Sequence, residues 1–428
     1  MTNYTIRVHN VYPKLYSRHN VIRQSPAEQG ASAVFPGESP FEPAPLWVIV
    51  WTGGRALNAI SRTDSIVPEV AVAMSGGVDS SVAAALLVQQ GIRTIGVTMK
   101  LWHAPMEECD YNLCCSAESV ESARRTCRKL GIDHIVLNVE REFRNMVVDD
   151  FIDAYGRGLT PNPCVVCNRT IKFGELHRRL MALGIHTVAT GHYARTERDP
   201  STGRQLLLRP CDTSKDQTYM LHRVSQEQLA SSLFPLGDLT KPEVRDIARH
   251  LGLESAELRD SQEVCFVPPG RYRDFLLTER PELGTPGCIV DESGRVIGEH
   301  TGLAMYTVGQ RQGLGRLRGY EAQAMYVVEI RPESNTIVVG PRQSMYSKEL
   351  TVDNVNLIEL SVLREPMRVE AKIRYTAPPA PATISPLACG RIHVQFDHEQ
   401  MAISPGQSAV FYRNDSVVGG GIIERHGT

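Results

Sequence analysis

An α/β doubly wound parallel sheet, then a small mixed α/β domain, then a C-terminal β-barrel is the architecture this sequence predicts. Three observations carry it. From Val70 to about Phe266, apolar β-branched runs alternate with segments of helical composition, the pattern of successive βαβ units. The first of these runs leads through a Gly- and Ser-rich turn straight into an Ala- and Leu-rich helix. Beyond about Pro268 the helical signal fades, and short strand and turn signals recur to the end of the chain.

In chain order, residues 1–66 show no clear periodicity and contain a Pro-rich stretch, Phe35-Pro-Gly-Glu-Ser-Pro-Phe-Glu-Pro-Ala-Pro45. They read as a disordered extension, or as upstream sequence translated from a start placed too early. Trp47-Val-Ile-Val-Trp51 is apolar but much too short for a bilayer span. Arg7, Lys14, Arg18 and Arg23 precede the first acidic residue, Glu28, yet the amphipathic pattern of an organelle-targeting peptide is poor.

Val70-Ala-Val-Ala-Met74 reads as a buried parallel strand, and the run that follows Asp79 reads as a helix stopped by Gly91. Between them lies Ser75-Gly-Gly-Val-Asp-Ser80. Glycines let backbone N–H groups approach an anion, and the helix N-terminus adds donors and a favourable dipole. Asp79 has no use against a bare phosphate, so it points to a bound cation or to the helix cap. No G-x-x-x-x-G-K-[ST] occurs, which excludes a Walker nucleotide site. Further strands are expected over 92–98, 135–139 and 186–190, with helices over 116–130, 142–155 and 170–183. A site built on such a sheet belongs at the carboxyl ends of its strands, where the Ser75 turn sits. Gly287-Cys-Ile-Val-Asp-Glu-Ser-Gly-Arg-Val-Ile-Gly298 reads as a hairpin, and 408–412 and 416–423 as strands around a turn at 413–415. The domains are therefore set at 67–268, 269–348 and 349–428.

Length and charge fit a large enzyme: 428 residues and a formal net charge of −2. A nucleic-acid partner must then be held by local basic surface. Arg124, Arg125, Arg128 and Lys129 on one expected helix, and Arg311, Arg316 and Arg318 in a Gly-rich segment, are the candidates. Each also reads as an ordinary solvated face. Ten cysteines without a secretory leader or membrane span point to a cytoplasmic setting and to metal binding or catalysis.

Thr160-Pro-Asn-Pro-Cys-Val-Val-Cys-Asn168 places two thiols on a Pro-fixed loop beside Arg169 and Lys172, and nearby positive charge lowers a thiol pKa. A C-x-x-C pair serves zinc, redox chemistry and iron–sulfur clusters alike. Cys265, in Ser261-Gln-Glu-Val-Cys-Phe266, is by itself equally well a buried small residue.

Several ordered motifs resemble the tRNA-specific 2-thiouridylase family, which thiolates the wobble uridine of certain tRNAs. They are 74–81, with the S-G-G-x-D-S form of ATP pyrophosphatases, 160–163 with Cys167-Asn168, Lys172-Phe173, Ala189-Thr-Gly-His-Tyr193, Lys215-Asp-Gln217, Val264-Cys-Phe266, Gly309-Gln-Arg311, Arg374-Tyr375 and 405–412. The resemblance runs from about Val70 to Glu424; nothing before Val67 matches.

By that resemblance Ala73, Met74, Ser75, Gly76, Gly77, Val78, Asp79 and Ser80, with Met99 and Gly191, hold ATP. Cys167 is the nucleophile and Cys265 carries the persulfide sulfur. Asn162, Pro163 and Cys164 face the target base, while His192, Lys215, Asp216, Gln217, Arg374, Tyr375 and Gln407 contact tRNA. Without it, His192 would read as a hydrogen-bonded structural histidine and 215–217 as an ordinary polar loop. ATP adenylates the uracil C2 oxygen, Mg²⁺ neutralises the departing pyrophosphate, and sulfur then displaces AMP. A cysteine desulfurase or a sulfur-relay protein is the implied donor, and no membrane is involved.

Many members of the family carry an acidic residue where this chain has Cys164, so proton transfer by that carboxylate is lost or moved. Cys164, Cys167 and Cys265 together could instead hold three irons of an iron–sulfur cluster with the fourth open to hydrosulfide. The helix-opening pair Cys114-Cys115 has no assigned role. Two other classes share part of the pattern: a pyrophosphate-loop ligase or amidotransferase acting on a small molecule, which has no need of Cys167 and Cys265, and an inactive RNA-binding module, which has no need of Asp79.

Overall fold

The computed structural model describes residues 49–52, 55–57, 67–102, 117–258, 264–267 and 270–425, the first two stretches as backbone only. All of these fall within one compact unit, Trp47–Thr428. The expectations for Cys114 and Cys115, and for most of residues 1–66, lie outside the described residues.

The first domain is organised by a seven-stranded sheet. Its parallel strands are His134–Asn138, Thr94–Lys100, Val70–Ala73, Thr187–Ala189 and Ser232–Leu233, in that spatial order. An antiparallel hairpin, Ile49–Thr52 with Arg55–Leu57, adds to the edge beside His134–Asn138. Alternate side chains of Val70–Ala73 serve two cores, because successive strand residues face opposite ways. Val70 and Val72 pack with the helix Val78–Gln89 and with Val244 and Ile247 of Lys241–His250. Ala71 packs on the other face, with Phe143, Phe151, Ile171 and Leu180. Helices on both faces confirm the doubly wound expectation.

The helix expected over 142–155 spans 140–156 and contains a π-helical stretch, Arg144–Val148. The helix expected over 170–183 begins earlier, at Pro163, and is π-helical over Asn168–Glu175, immediately after Cys167. Such wide turns insert a residue into the helical ladder and are common beside functional sites.

A four-stranded sheet follows, ordered Val296–His300, Gly287–Val290, Thr336–Gly340, Tyr326–Arg331, its first two strands forming the expected hairpin. The barrel is closed by Tyr346–Leu357, which pairs on one side with Ile392–Met401 and on the other with Ser416–Ile423. One connection crosses the expected domain boundary: the hairpin Arg195–Arg198 with Gln205–Leu208 extends the barrel sheet through Ser416 opposite Leu208. Tyr219 Oη donates to the Ser408 carbonyl at 2.9 Å, and Asn356 Nδ2 donates to the carbonyls of His222 (2.7 Å) and Val224 (3.0 Å), so the barrel is bonded to the first domain at several points.

Candidate active site

Val70–Ala73 ends and Val78–Gln89 begins across the Ser75 turn. Gly76 has φ +79°, a left-handed conformation that favours glycine, and a Cβ there would lie 2.5 Å from the Ser119 carbonyl oxygen. Gly77, the N-cap, is different: a Cβ would meet only Ser75 Oγ, at 3.6 Å, so space lies open over the loop. Ser80 Oγ accepts from Ser75 N (3.2 Å) and donates to the Gly77 carbonyl (3.1 Å), which curls the turn about the helix N-terminus. Thr98 Oγ1 donates to the Met74 carbonyl at 3.0 Å and holds the strand end from below. Met99 lies on the adjacent strand, 9% exposed. Gly191 presses against the helix: a Cβ on it would sit 2.7 Å from both Asp79 C and Ser80 N. The turn, Met99 and Gly191 are thus placed around the carboxyl ends of the central strands, where such a site was expected.

Asp79 does not cap the helix, since no side chain bonds to the cap. Its carboxylate takes hydrogen bonds from Lys241 Nζ at 2.7 and 2.9 Å and from Tyr193 Oη at 3.0 Å. Lys241 is buried, 7% exposed, so Asp79 supplies the counter-charge that a buried ammonium requires. Sequence reasoning missed Lys241. Its neighbourhood, Thr240-Lys-Pro-Glu243, signals only a helix start, and it does form a capping box. Tyr193 lay inside a recognised motif with no role assigned. It also bonds Gln217 both ways: Tyr193 N donates to Gln217 Oε1 (3.0 Å) and Gln217 N to the Tyr193 carbonyl (3.2 Å). The chain Asp79–Tyr193–Gln217 thereby ties the Ser75 turn to the 215–217 loop. Asp216 is likewise engaged locally, accepting from Thr218 N (2.9 Å) and Thr218 Oγ1 (2.6 Å).

Asn162 caps the cysteine helix, its Oδ1 accepting from Val165 N at 3.4 Å, with Pro163 in the first turn. Cys164 is exposed and Cys167 is 7% exposed. Cys265 is half-buried and packs against the apolar cluster that contains Cys167, together with Phe266, Phe143 and Phe151. The two cysteines, far apart in sequence, thus border the same apolar cluster, which also takes in Ile289, Val327 and Ile337 of the middle domain. Among the described residues no group of three His, Cys, Asp or Glu is placed to hold a metal ion. Cys164, Cys167, Cys265 and Asp79 are all among those residues.

A cleft of about 390 Å³ opens where all three domains meet, lined by Thr160, Gly309, Arg374, Tyr375 and Gln407 among others. Gln407 Nε2 donates to the Thr160 carbonyl (2.9 Å) and the Pro161 carbonyl (3.4 Å), and Arg374 Nη2 donates to the Ala402 carbonyl. Burial first, then the Asp216 carboxylate, push the Tyr375 phenol above its usual range, with Lys215 and Cys164 also within electrostatic reach. Three predicted tRNA contacts thus line one cleft, and Tyr375 joins it to Cys164 and to the 215–217 loop. His192 is placed otherwise. It packs between Phe173 and Phe234, bonds Thr190 Oγ1 at 2.8 Å, and is held neutral by burial and by the Lys172 charge, its pKa well below the usual value.

Of the expected basic patches, the one on Ala117–Leu130 is largely neutralised. Arg124 pairs with Glu121 (3.2 Å), Arg125 with Glu254 (2.7 Å), and Lys129 bonds the Gly252 carbonyl. Arg311 and Arg316 line a separate polar hollow of about 400 Å³. No helix among the described residues is long and apolar enough to cross a membrane.

Comparison with known proteins accounts for this arrangement. Residues 68–269 match the family described as the tRNA methyl transferase HUP domain, 273–341 its PRC-barrel domain, and 347–423 the aminomethyltransferase β-barrel domain. The tRNA-specific 2-thiouridylase MnmA of Heliobacterium modesticaldum is 50% identical over 359 residues, 83% of this chain and 92% of that protein. Those of Clostridioides difficile and Pelotomaculum thermopropionicum are 47% and 46% identical, each matched over 98% of its length and covering 83% and 84% of this chain. The chain belongs to the tRNA-specific 2-thiouridylase family.

Proposed function

We propose that this chain catalyses ATP-dependent 2-thiolation of the tRNA wobble uridine and that Cys167 and Cys265 carry the sulfur. The observation that supports it most is that one domain carries both an open glycine turn at a helix N-terminus and, bordering a single apolar cluster, a buried and a half-buried cysteine from distant segments.

The turn 75–80 binds the ATP phosphates through backbone N–H groups and serine hydroxyls. The uridine enters the cleft beside Asn162–Cys164, turned out of its stack, with Tyr375 as an aromatic wall. Its C2 oxygen attacks the α-phosphorus, forming the O–AMP bond as pyrophosphate leaves and N3 gives up its proton to solvent. Mg²⁺ arriving with ATP would supply neutralising charge for the phosphates, and Asp79, within the turn and bonded to Lys241 and Tyr193, is the carboxylate that would face it. Cys265 receives sulfur as a persulfide from a cysteine desulfurase or a relay protein. The Cys167 thiolate attacks the inner sulfur of that persulfide, which breaks the S–S bond and releases hydrosulfide. Hydrosulfide adds to C2, AMP departs with the former O2, and the S–H proton passes to N3 to give the thione. Cys167 and Cys265 are left as a disulfide, which an external thiol reduces before the next turnover. Such a cycle suits a reducing, cytoplasmic setting.

The persulfide route needs only Cys167 and Cys265, whereas a cluster would also draw on Cys164. The test is Cys167→Ser and Cys265→Ser in the full chain, assayed for thiolation of unmodified tRNA and for ATP binding. Each substitution is expected to abolish thiolation and leave ATP binding intact. Thiolation that survives both would reject the sulfur-transfer reading. Loss of activity on removing iron anaerobically would replace the disulfide cycle with a cluster.

A further inference from the structure

Two arginines beside the cysteine helix close on no carboxylate among the described residues. Arg223 is half-buried, and its Nε is buried with no hydrogen-bond partner. Arg169 is exposed and directly follows Asn168. Among the described residues neither forms an ion pair, in contrast to Arg178 and Arg179, which both close on Glu175 (2.6 and 2.5 Å). Hydrogen bonds fix their segments together. Asn168 Nδ2 donates to the Met220 carbonyl (2.9 Å), and Gln228 Nε2 donates to the Arg169 carbonyl (3.1 Å). Burial first, and then the Arg169 charge, lower the Arg223 pKa, so the two cations repel each other in a partly desolvated place. Asp150 is near enough to feel Arg223 but does not bond it, and burial raises its own pKa. Desolvating a guanidinium beside a like charge is unfavourable unless an anion compensates. Guanidinium forks fit phosphate oxygens in bidentate fashion.

We propose that Arg169 and Arg223 form a binding site for a backbone phosphate of the RNA strand whose base enters at Asn162–Cys164. The inference rests on the proposed tRNA substrate. Asn162 Nδ2 reaches Met220 Sδ (3.5 Å), so the base-facing stretch packs on the same short segment that leads to Arg223. One exposed arginine and one half-buried arginine suit a strand passing over the surface. The phosphates of ATP are already provided for at the Ser75 turn.

The experiment is binding of an unmodified tRNA transcript to the full chain across a salt series, for wild type, Arg169→Met, Arg223→Met and the double variant. Losing one phosphate contact lowers the slope of log K against log salt by about 0.7 for single-stranded RNA. The double variant should show that reduction and weaker binding to every tRNA tested, with ATP binding and melting temperature unchanged. Arg223→Lys should keep the slope. Should Arg223→Met fold poorly, Arg169→Met, at an exposed position, still reads the same contact. An unchanged slope in both Arg169→Met and the double variant refutes the site. So does a slope left unchanged while stabilisation by inorganic phosphate disappears, which would mark a small-anion site, or while only binding of the sulfur donor is lost, which would mark an acidic protein surface. If the wild-type chain binds no tRNA, the proposed function itself fails, whatever the arginines do.

Discussion

Lys241 and Asp79 should be thermodynamically coupled, and the structure sets the size of the coupling. Lys241→Met keeps the aliphatic volume and removes the ammonium, while Tyr193 Oη still donates to the Asp79 carboxylate. Breaking a fully buried pair by deleting one partner costs about 3–5 kcal/mol. Here the Lys241 side chain is 9% exposed but the Asp79 side chain 31%, so water partly solvates the stranded carboxylate. A loss of about 2–3 kcal/mol is therefore expected for Lys241→Met. Asp79→Asn should cost more, about 3–5 kcal/mol, because the charge it strands is the better buried one. The double variant should be less destabilised than the sum of the singles by about 2 kcal/mol. Urea unfolding followed by far-ultraviolet circular dichroism measures these costs. Single costs below about 1 kcal/mol with no coupling, the behaviour of an exposed pair, would show that Lys241 does not neutralise Asp79.

Three further outcomes are expected. Gly191→Ala puts a carbon 2.7 Å from Asp79 C and Ser80 N, so the phosphate turn must give way at a cost of about 1–3 kcal/mol; calorimetry should find ATP binding weakened, and unchanged binding would show that the turn yields freely. Gln407→Ala strands the Thr160 and Pro161 carbonyls at the cleft, so tRNA affinity should fall while ATP affinity, set elsewhere, does not; an equal loss of both would instead indicate general unfolding. Burial lowers His134 to about 4 and His222 to about 3, and His192 shifts the same way. Because the folded values lie below the usual 6.5, the unfolded chain takes up these protons first. Stability from this source is complete above pH 6.5 and declines as pH falls towards 4, by up to about 1.4 kcal/mol per pH unit for each histidine. Urea midpoints at pH 7 and pH 5 check the sign, and His134→Gln should lessen the fall.

What the sequence made legible was local. Val70–Ala73, Val78–Gln89 and the glycine turn between them were readable because composition, periodicity and turn chemistry all agree over one short stretch. Ser232–Leu233 was not, since two residues carry no period and that strand exists only through its neighbour Thr187–Ala189. The hairpin from Arg195 to Leu208 hid for a related reason: its first strand is charged and partly exposed, and its pairing partner lies in a barrel more than 200 residues away. In the site, Asp79 was read as a cation ligand or a cap because Lys241 is 162 residues distant. Nothing around Lys241 distinguishes a buried ammonium from a surface one. The neutral, packed state of His192 depends on Phe173 and Phe234, which the motif around it does not contain.

The same distance explains why the barrel belongs to the active site. The stretch 159–162 before the cysteine helix lies in no regular element and is held from outside. Thr160 N donates to the Pro405 carbonyl at 2.8 Å, while Gln407 takes the carbonyls of Thr160 and Pro161. Gly406 meets the stretch so closely that a Cβ there would fall 2.8 Å from Thr160 N, and its φ of +89° permits the approach. The position from which the helix bearing Cys164 and Cys167 starts is therefore set by residues near the other end of the chain. Under the proposed function, in which Cys164 faces the base and Cys167 is the nucleophile, that clamp sets the position of both. Movement of the barrel when RNA fills the cleft would be felt at Thr160 before it was felt at the phosphate turn, which is braced separately by Gly191, Tyr193 and Lys241.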